Sequence, residues 1–257
     1  MTTNKTLISL STLTRKETRR FLRIWTQTLV PPVITQSLYF VVFGGFVGRQ
    51  VAAINGVSYM AFLVPGLVMM AIITSAFTNT VSSFFFTKWQ RNIDEILVSP
   101  TPNWVIVAGF GMGGILRGIL VGLIVFLISI FFTHPQIAHL GLVLIFMVLT
   151  AITFSFGGLL NGIFAKKIDD VGIFPTFVLT PLTYLGGVFY PISALPGVWQ
   201  VVSKFNPIVY MIDGFRYGFY GFSSVPVLVS LGILIAFSLA LGILCVVLLN
   251  KGKGIRT

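Results

Sequence analysis

Long stretches of the chain carry no charged side chain, and short polar segments separate them. The uncharged stretches are long enough for the about 20 residues that a helix needs to cross a bilayer. No segment shows the alternation of apolar and polar residues that is typical of a membrane β-barrel. The pattern predicts an all-α integral membrane protein. Its six spanning helices are expected near residues 26–47, 60–86, 104–132, 140–163, 173–190 and 225–249.

Lysine and arginine are distributed unevenly among the segments between these predicted helices. Thirteen fall on one side of the membrane, in the segments 1–23, 87–103, 164–172 and 250–257. Three fall on the other side, namely Arg49, Lys204 and Arg216. Because cytoplasmic loops carry the excess of basic residues, this distribution predicts that both termini are cytoplasmic. An even number of spans agrees with that orientation.

The composition excludes a water-soluble globular protein. Of the 257 residues, 56% are apolar and 9% are charged, whereas a soluble domain carries about a quarter charged residues. The net charge of +11 suggests nucleic-acid binding at first. However, the basic residues lie in short segments between apolar runs, where they report membrane topology, so no nucleic-acid partner is expected. A single cysteine, Cys245, excludes an internal disulfide framework and a cysteine-cluster metal site.

Residues 7–25 predict an amphipathic helix that lies in the membrane interface. Apolar residues recur at helical spacing, and Arg15, Arg19 and Arg23 follow one another at intervals of four residues. Such a helix places its basic face toward the headgroups of anionic membrane lipids. Two interpretations stay open, a positively charged anchor and a docking surface for a cytoplasmic partner, and both can hold.

A second short amphipathic helix is predicted between the second and third spans. Ile93, Ile96 and Leu97 share one helical face, and two of the six acidic residues, Asp94 and Glu95, lie beside them. A cytoplasmic helix of this kind suits the transmission of force from a soluble partner. The alternative is a capped turn with ordinary salt bridges.

The third predicted span carries one charged residue, Arg117, among regularly spaced glycines. These glycines match G-x-G-x-x-G, but no strand precedes them, so they fit close helix packing in lipid better than dinucleotide binding. Arg117 can reach the interface, bond carbonyls at a helix end, or line a wet cavity. Since a charge within a span is a functional candidate by default, Arg117 is a candidate for a transport path. Asn161, a polar residue of the fourth predicted span, is a second candidate.

The acidic residues all lie outside the predicted spans. Ion-coupled carriers usually place a carboxylate near the bilayer midplane. The chain also lacks the G-x-x-x-x-G-K-[ST] loop that binds ATP. Energy for transport would therefore come from a partner subunit, and no enzyme activity, metal or cofactor is expected in this chain. An ion-coupled carrier or passive channel is the alternative, and a membrane enzyme or assembly scaffold is a third possibility.

The segment 191–224 is too apolar and aromatic for a free loop, and prolines interrupt it. Short helices that dip into the outer leaflet, with Trp and Tyr at headgroup level, explain its composition. Irregular backbone at that depth needs protein or water around it.

The order of motifs in the last third of the chain carries a resemblance to a known family. Leu185-Gly186-Gly187-Val188 is followed by Leu195-Pro196, then by Pro207-Ile208-Val209-Tyr210, and then by Arg216. With the six-span pattern, the basic N-terminal helix and the segment from Arg91 to Pro100, this order resembles the type-2 permease subunits of bacterial ABC exporters. The likeness covers nearly the whole chain. Asn92 departs from it, since many members carry a smaller residue there.

The resemblance implies a homodimer in the inner membrane, bound to two ABC ATPase subunits and in contact with membrane lipids. It implies three parts: an interfacial helix at 1–25, a transmembrane domain at 26–249 and a cytoplasmic tail at 250–257. The ATPase-coupling residues would be Arg19, Arg23, Arg91, Asp94, Glu95, Ile96 and Leu97. The segment 191–224 would form external re-entrant helices that gate the exit, with the signature residues Pro196, Pro207, Tyr210 and Arg216.

Overall fold

A computed structural model describes residues 3–254. Residues 1–2 and 255–257 lie outside the described residues, and with them Arg256 of the predicted cytoplasmic tail. Within the described range the chain forms helices and loops, with an isolated bridge between Ile54 and Val57 as its only β-type pairing. This confirms the prediction of an all-α protein.

Twelve α-helices follow one another in the described range. They are α1 (Thr3–Arg23), α2 (Trp25–Thr28), α3 (Val30–Tyr39), α4 (Tyr59–Trp89), α5 (Asn92–Val98), α6 (Asn103–Phe132), α7 (Leu140–Phe164), α8 (Ile168–Phe174), α9 (Thr180–Tyr184), α10 (Gly197–Lys204), α11 (Pro207–Tyr220) and α12 (Val227–Asn250). Wider π-helical turns extend α3 over Phe40–Phe46 and join α8 to α9 over Pro175–Leu179. Short 3₁₀ turns cover Val47–Arg49 and Ile192–Ala194.

Five helical segments are long and apolar enough to cross a membrane. They are Trp25–Arg49, α4, α6, α7 and α12. These segments coincide with the first four predicted spans and with the last one. They confirm the expectation of a multi-span membrane protein, whereas the count of six spans and the side on which the termini lie stay predictions.

The predicted fifth span, 173–190, is not a single regular helix. Its helical backbone runs from Ile168 to Tyr184 through α8, the π-helical turns and α9, which is shorter than the about 20 residues of a typical span. Pro175 and Pro181 interrupt the helical hydrogen bonds, because proline has no N–H group and its ring clashes with the preceding turn. Gly187, with a φ of +83°, then turns the chain away.

The helix α4 lies at the centre of the bundle and packs against α6, α7 and α11. Most of its side chains are buried, including Phe62, Leu67 and Phe77. The outer helices have wide apolar faces that no protein covers, for example at Phe131 on α6 and Leu228 on α12. Apolar surfaces of that extent are unfavourable in water, so lipid is the medium that suits this arrangement.

Candidate coupling surface, intramembrane residues and proline-rich segment

The N-terminal helix α1 packs directly on α6. Two glycines of α6 make this possible, because a Cβ atom added to Gly109 would lie 2.6 Å from Leu13 Cβ, and one added to Gly113 would lie 2.7 Å from Glu17 Cβ. Small residues allow such close approach of helix backbones. The predicted amphipathic helix is therefore present, and the glycine pattern of the third span receives it. On its outer face, Arg15, Arg19 and Arg23 are exposed.

A buried polar cluster joins α1 to α4. It consists of Glu17 and Arg20 on α1 with Asn79 and Ser83 on α4. Ser83 Oγ donates to Glu17 Oε2 at 2.5 Å, and Arg20 Nε donates to the same oxygen at 3.2 Å. A guanidinium NH₂ group of Arg20 donates to the backbone oxygen of Asn79 at 3.1 Å and to Asn79 Oδ1 at 2.9 Å. Glu17 is fully buried.

The position of Glu17 before the first predicted span did not indicate this cluster. Glu17 does lie outside the predicted spans, yet its carboxylate is buried and does not face water. The available signal was its position between Leu13 and Phe21 at intervals of four residues, which places Glu17 on the inward face of α1. An acid on the apolar face of an amphipathic helix is a candidate for a buried contact.

The predicted short helix after the second span is α5. The backbone reverses at Arg91, which adopts a left-handed conformation with a φ of +61°, and α5 begins at the next residue. Ile93 is buried, whereas Asp94 and Glu95 are exposed in the first turn. Acidic side chains there interact favourably with the positive end of the helix dipole. Ile96, like Leu97 beside it, is half-buried.

The structure brings α1 and α5 side by side. They line an open groove of about 320 Å³, whose walls are Ile8, Ser9, Thr12 and Leu13 of α1 and Glu95, Ile96, Ser99 and Thr101 of the α5 region. Two of the predicted coupling residues, Glu95 and Ile96, line this groove. The predicted Arg19 and Arg23 lie farther along α1 and are exposed. This shared face of α1 and α5 is called the coupling surface below.

Lys88 holds the end of α4 that precedes α5. Its Nζ donates to the backbone oxygens of Gly162, Ile163, Ala165 and Gly254 at 2.5 to 3.2 Å. Most of these carbonyls belong to the C-terminal end of α7, where helical carbonyl groups have no partner within the helix and attract a cation. The contact ties the end of α4 to the end of α7.

The neighbouring loop is held by Asp170. Its carboxylate accepts hydrogen bonds from the backbone N–H groups of Lys167 at 2.9 Å and Lys166 at 2.8 Å. These bonds stabilise the charged form and lower the pKa of Asp170 below its ordinary value. The loop that follows α7 is thus closed by local bonds.

Arg117 and Asn161, the candidates for the transport path, contact different parts of the bundle. An NH₂ group of Arg117 donates to the backbone oxygen of Thr28 at 2.9 Å. This is the helix-end contact that the sequence analysis considered. Asn161 lines an apolar cavity of about 360 Å³ between α7, α8, α11 and α12, and its Nδ2 has no hydrogen-bond partner within residues 3–254. The two residues do not share a cavity.

Replacing Arg117 with alanine is expected to leave the chain folded but to reduce transport. The change removes the bond that holds the junction of α2 and α3, at the start of the first spanning segment, and one hydrogen bond to a charged group contributes about 1.5–3 kcal/mol. Transport in vesicles, using a compound that stimulates ATP hydrolysis by the complex, measures the effect. The exposed Arg49→Ala variant is the control. Unchanged transport in Arg117→Ala would contradict a role of Arg117 in the transport path and would leave only its bond to Thr28 as a structural contact.

The proline-rich segment folds into α10 and α11, which confirms that it is helical and not a free loop. Pro196 precedes α10, and Pro207 is the first residue of α11. Proline suits the position of Pro207 because its fixed φ favours the first helical turn and its missing N–H has no partner there. Tyr210 Oη donates to the backbone oxygen of Lys204 at 2.7 Å and so joins the two helices.

Arg216 connects the parts of the signature that are distant in the sequence. It is 4% exposed, its NH₂ group donates to the backbone oxygen of Gly187 at 2.8 Å, and its guanidinium lies 3.9 Å from the ring centre of Phe62. On the same helix, buried Asp213 accepts hydrogen bonds from the N–H groups of Ser224 and Val225. Both charges belong to the segment predicted to be external, and no sequence pattern indicated that they are buried.

Comparison with known proteins identifies the family. Residues 8–220 match the family described as ABC-2 type transporter. This chain belongs to the ABC-2 type transporter family. It is 52% identical over 250 residues to the inner membrane transport permease YadH of Escherichia coli, covering 97% of this chain and 98% of the relative.

More distant relatives include nodulation protein J of two rhizobia. The protein of Rhizobium leguminosarum bv. trifolii is 28% identical over 180 residues, which are 70% of this chain and 69% of the relative. The protein of Rhizobium meliloti is 26% identical over 215 residues, which are 83% and 82% of the two chains.

Membership confirms the resemblance that the sequence analysis stated. The chain is the membrane subunit of an ABC transporter, and the family implies association with an ABC ATPase. A relative named as an inner membrane permease and five helical segments that are long and apolar enough to cross a membrane make it a multi-pass protein of the inner membrane. Since the family's permeases are membrane subunits and not ATPases, membership agrees with the expectation that this chain is not an enzyme.

Proposed function

We propose that this ABC-2 permease is the membrane subunit of an ATP-driven exporter, working as a homodimer with two ABC ATPase subunits. In this proposal six spans place both termini in the cytoplasm. The parts are the interfacial helix at 1–25, the transmembrane domain at 26–249 and the tail at 250–257. The observation that carries the proposal is the coupling surface, where two amphipathic helices lie side by side at one end of the bundle.

The coupling surface has the charge pattern that a soluble partner would recognise. Glu95 lines it, and the other exposed charged residues of α1 and the α5 region among the predicted coupling residues are Arg19, Arg23, Arg91 and Asp94. The half-buried Ile96 and Leu97 add an apolar contact. Charged groups of both signs around an apolar centre give an interface its specificity and its register. In the proposal these seven residues contact the ATPase.

The substrate path is proposed to run along the segments that the rest of the chain covers least. Large apolar side chains are exposed on Trp25–Arg49, for example Ile34 and Phe46, and on the 168–184 segment, for example Phe177. The two segments meet where the hydroxyl groups of Tyr39 and Tyr184 lie 2.8 Å apart. A second copy of the chain facing this surface would enclose a path with apolar walls and a few polar groups, which suits an amphipathic substrate.

The helices α10 and α11 are proposed to close the outward end of that path. Pro196 and Pro207 set where the two helices begin, and Tyr210 joins them. Arg216 binds the backbone at Gly187, which follows the 168–184 segment, so a movement of that segment would reach the gate directly. Arg117 and Asn161 remain proposed contributors to transport.

Charge reversal of Asp94 and Glu95 is expected to release the ATPase. Both side chains are exposed, so lysine at these positions changes the charge of the coupling surface without disturbing the core. Like charges placed opposite each other at an interface are strongly unfavourable, so retention of the ATPase should fall about tenfold or more. The measurement is the amount of ATPase that co-purifies with tagged permease from membranes.

The control reverses a charge on the opposite predicted side, in Lys204→Glu, and should keep the ATPase at the wild-type level. Retention of the ATPase by the Asp94→Lys, Glu95→Lys variant would contradict the role of α5. Absence of any ATPase from the wild-type preparation would contradict the proposed function itself. If the ATPase co-purifies, a screen for compounds that stimulate ATP hydrolysis by the reconstituted complex would identify the substrate class.

A further inference from the structure

We propose that Glu17 and Arg20 are positioning residues, which hold α1 on α4 so that α1 and α5 move as one body. The proposal deepens the proposed function and rests on it, because it describes how the coupling surface keeps its shape while the ATPase moves. Four side chains form the contact, namely the buried polar cluster of Glu17, Arg20, Asn79 and Ser83.

The geometry of the cluster joins two helices at two levels. Asn79 and Ser83 are one helical turn apart on α4, and Glu17 and Arg20 are nearly one turn apart on α1. Glu17 accepts a hydrogen bond from Ser83. The guanidinium of Arg20 donates to both the side-chain oxygen and the backbone oxygen of Asn79. Two contacts one turn apart resist both sliding of α1 along α4 and rotation of α1 about its axis.

A third helix holds the cluster from the other side. A Cβ atom on Gly113 of α6 would lie 2.7 Å from Glu17 Cβ and 3.3 Å from Asn79 Nδ2. Any larger residue at Gly113 would push Glu17 or Asn79 away. The missing side chain of Gly113 therefore leaves the space in which the polar side chains of α1 and α4 meet, next to the backbone of α6.

The bonds to α4 add a directional constraint to the packing of α1 on α6. The hydrophobic effect is non-directional, whereas a hydrogen bond requires a particular distance and angle. A buried charge is unfavourable unless it keeps its partners, and hydrogen bonds to charged groups are about twice as strong as neutral ones. Because Glu17 is fully buried, sliding of α1 along α4 would leave its carboxylate buried without the hydrogen bond from Ser83.

The same end of α4 carries α5. From Ser83 the helix continues for roughly two turns to Trp89, and the left-handed residue Arg91 then leads into α5. Ile93 of α5 packs in a core cluster with Phe84 of α4. Both elements of the coupling surface are thus attached to one stretch of α4, which explains how they can keep a shared groove.

The first test measures whether the cluster holds α1. In purified permease, Glu17→Leu is expected to raise hydrogen exchange of the α1 backbone amides about tenfold or more, because the bonds to Ser83 and Arg20 are lost. Exchange in α7 should stay unchanged. Ser11→Leu, on the exposed face of α1, is the matched control and should behave as the wild type. Unchanged exchange in Glu17→Leu would overturn the proposal.

Two further variants keep this test decisive. Glu17→Gln keeps a side-chain oxygen that accepts hydrogen bonds, so it should restore most of the protection. If residue 17 only filled space, Glu17→Gln and Glu17→Leu would have the same exchange. If Glu17→Leu does not accumulate in membranes, Ser83→Ala replaces it, because this change removes one bond and adds no volume. Exchange in Ser83→Ala that equals the wild type would then overturn the proposal.

The second test measures movement in the complex with the ATPase. Spin labels at positions 7 and 98, where Leu7 and Val98 are exposed, report the distance between α1 and α5. The distance should stay constant when ATP binds to the wild-type complex and should broaden in Glu17→Leu. A distance that changes in the wild type would overturn the proposal. Failure to recover any ATPase would instead contradict the proposed function, while the exchange result would still test the cluster.

Discussion

Replacing Gly158 with alanine is expected to prevent most of the protein molecules from folding. Gly158 lies on α7 where this helix crosses α4, and an added Cβ atom would overlap the backbone oxygen of Phe77. The same Cβ would lie 3.1 Å from the carbonyl carbon and the Cα atom of Phe77. Since these are backbone atoms of a buried helix, no side-chain rotation can relieve the overlap, and the two helices must separate.

The cost should be large because α4 is the centre of the bundle. Overpacking of a core costs about 1–3 kcal/mol and sometimes more. Helices in lipid are held largely by close packing, so separation of α4 from α7 removes the attraction as well. The measurement is the yield of monodisperse protein in detergent together with its midpoint of thermal unfolding.

The adjacent residue gives a matched control. A Cβ atom on Gly157 would lie 3.6 Å from Phe77 Cε2, which is an ordinary van der Waals contact. Gly157→Ala has the same change in helix propensity as Gly158→Ala, so the difference between them isolates the helix crossing. Equal yield and equal unfolding midpoints for the two variants would show that α4 and α7 do not pack as described.

Replacing Arg216 with leucine is expected to release the proline-rich segment from the bundle. The change removes the bond to Gly187 and the contact with the Phe62 ring. It also leaves Asp213 buried without the nearest positive charge on its own helix. A hydrogen bond from a charged group contributes about 1.5–3 kcal/mol and a desolvated cation–π contact about 2 kcal/mol, which together are a large part of the stability of a typical domain.

Proteolysis and transport measure this effect separately. Cleavage within residues 185–205 should increase in Arg216→Leu, and transport should be lost in the variant that still inserts. Arg216→Lys should be intermediate, because lysine can reach the Gly187 carbonyl but lacks the planar group that stacks on Phe62. Lys204→Leu changes an exposed cation of the same segment and should match the wild type. Protection of the segment in Arg216→Leu would contradict the role given to Arg216.

The spanning helices were the most predictable part of the fold. Runs such as 104–132 and 140–163 match α6 and α7 closely, because lipid requires every backbone polar group to bond within the segment. The run 173–190 was harder, since its composition suits a span but Pro175 and Pro181 break its regular hydrogen bonds. Composition reports the preference for lipid, and local stereochemistry decides whether the helix is continuous.

The candidate coupling residues were predictable as segments but not as a surface. Helical periodicity indicated α1 and α5 separately, and the resemblance supplied their shared role. Their contact depends on Gly109 and Gly113, on another helix, which bring α1 against α6. No periodicity within α1 reports where a glycine of α6 will lie.

The sequence by itself determined the medium, the helical class and the candidate segments of this ABC-2 permease, because transfer to lipid and helical periodicity are properties of short stretches. The tertiary structure alone decided which charges are solvated. Glu17, Asp213 and Arg216 looked like ordinary charges between spans, yet each is buried. Whether a charge keeps its water depends on which distant helices surround it, and that follows only from how the whole bundle packs.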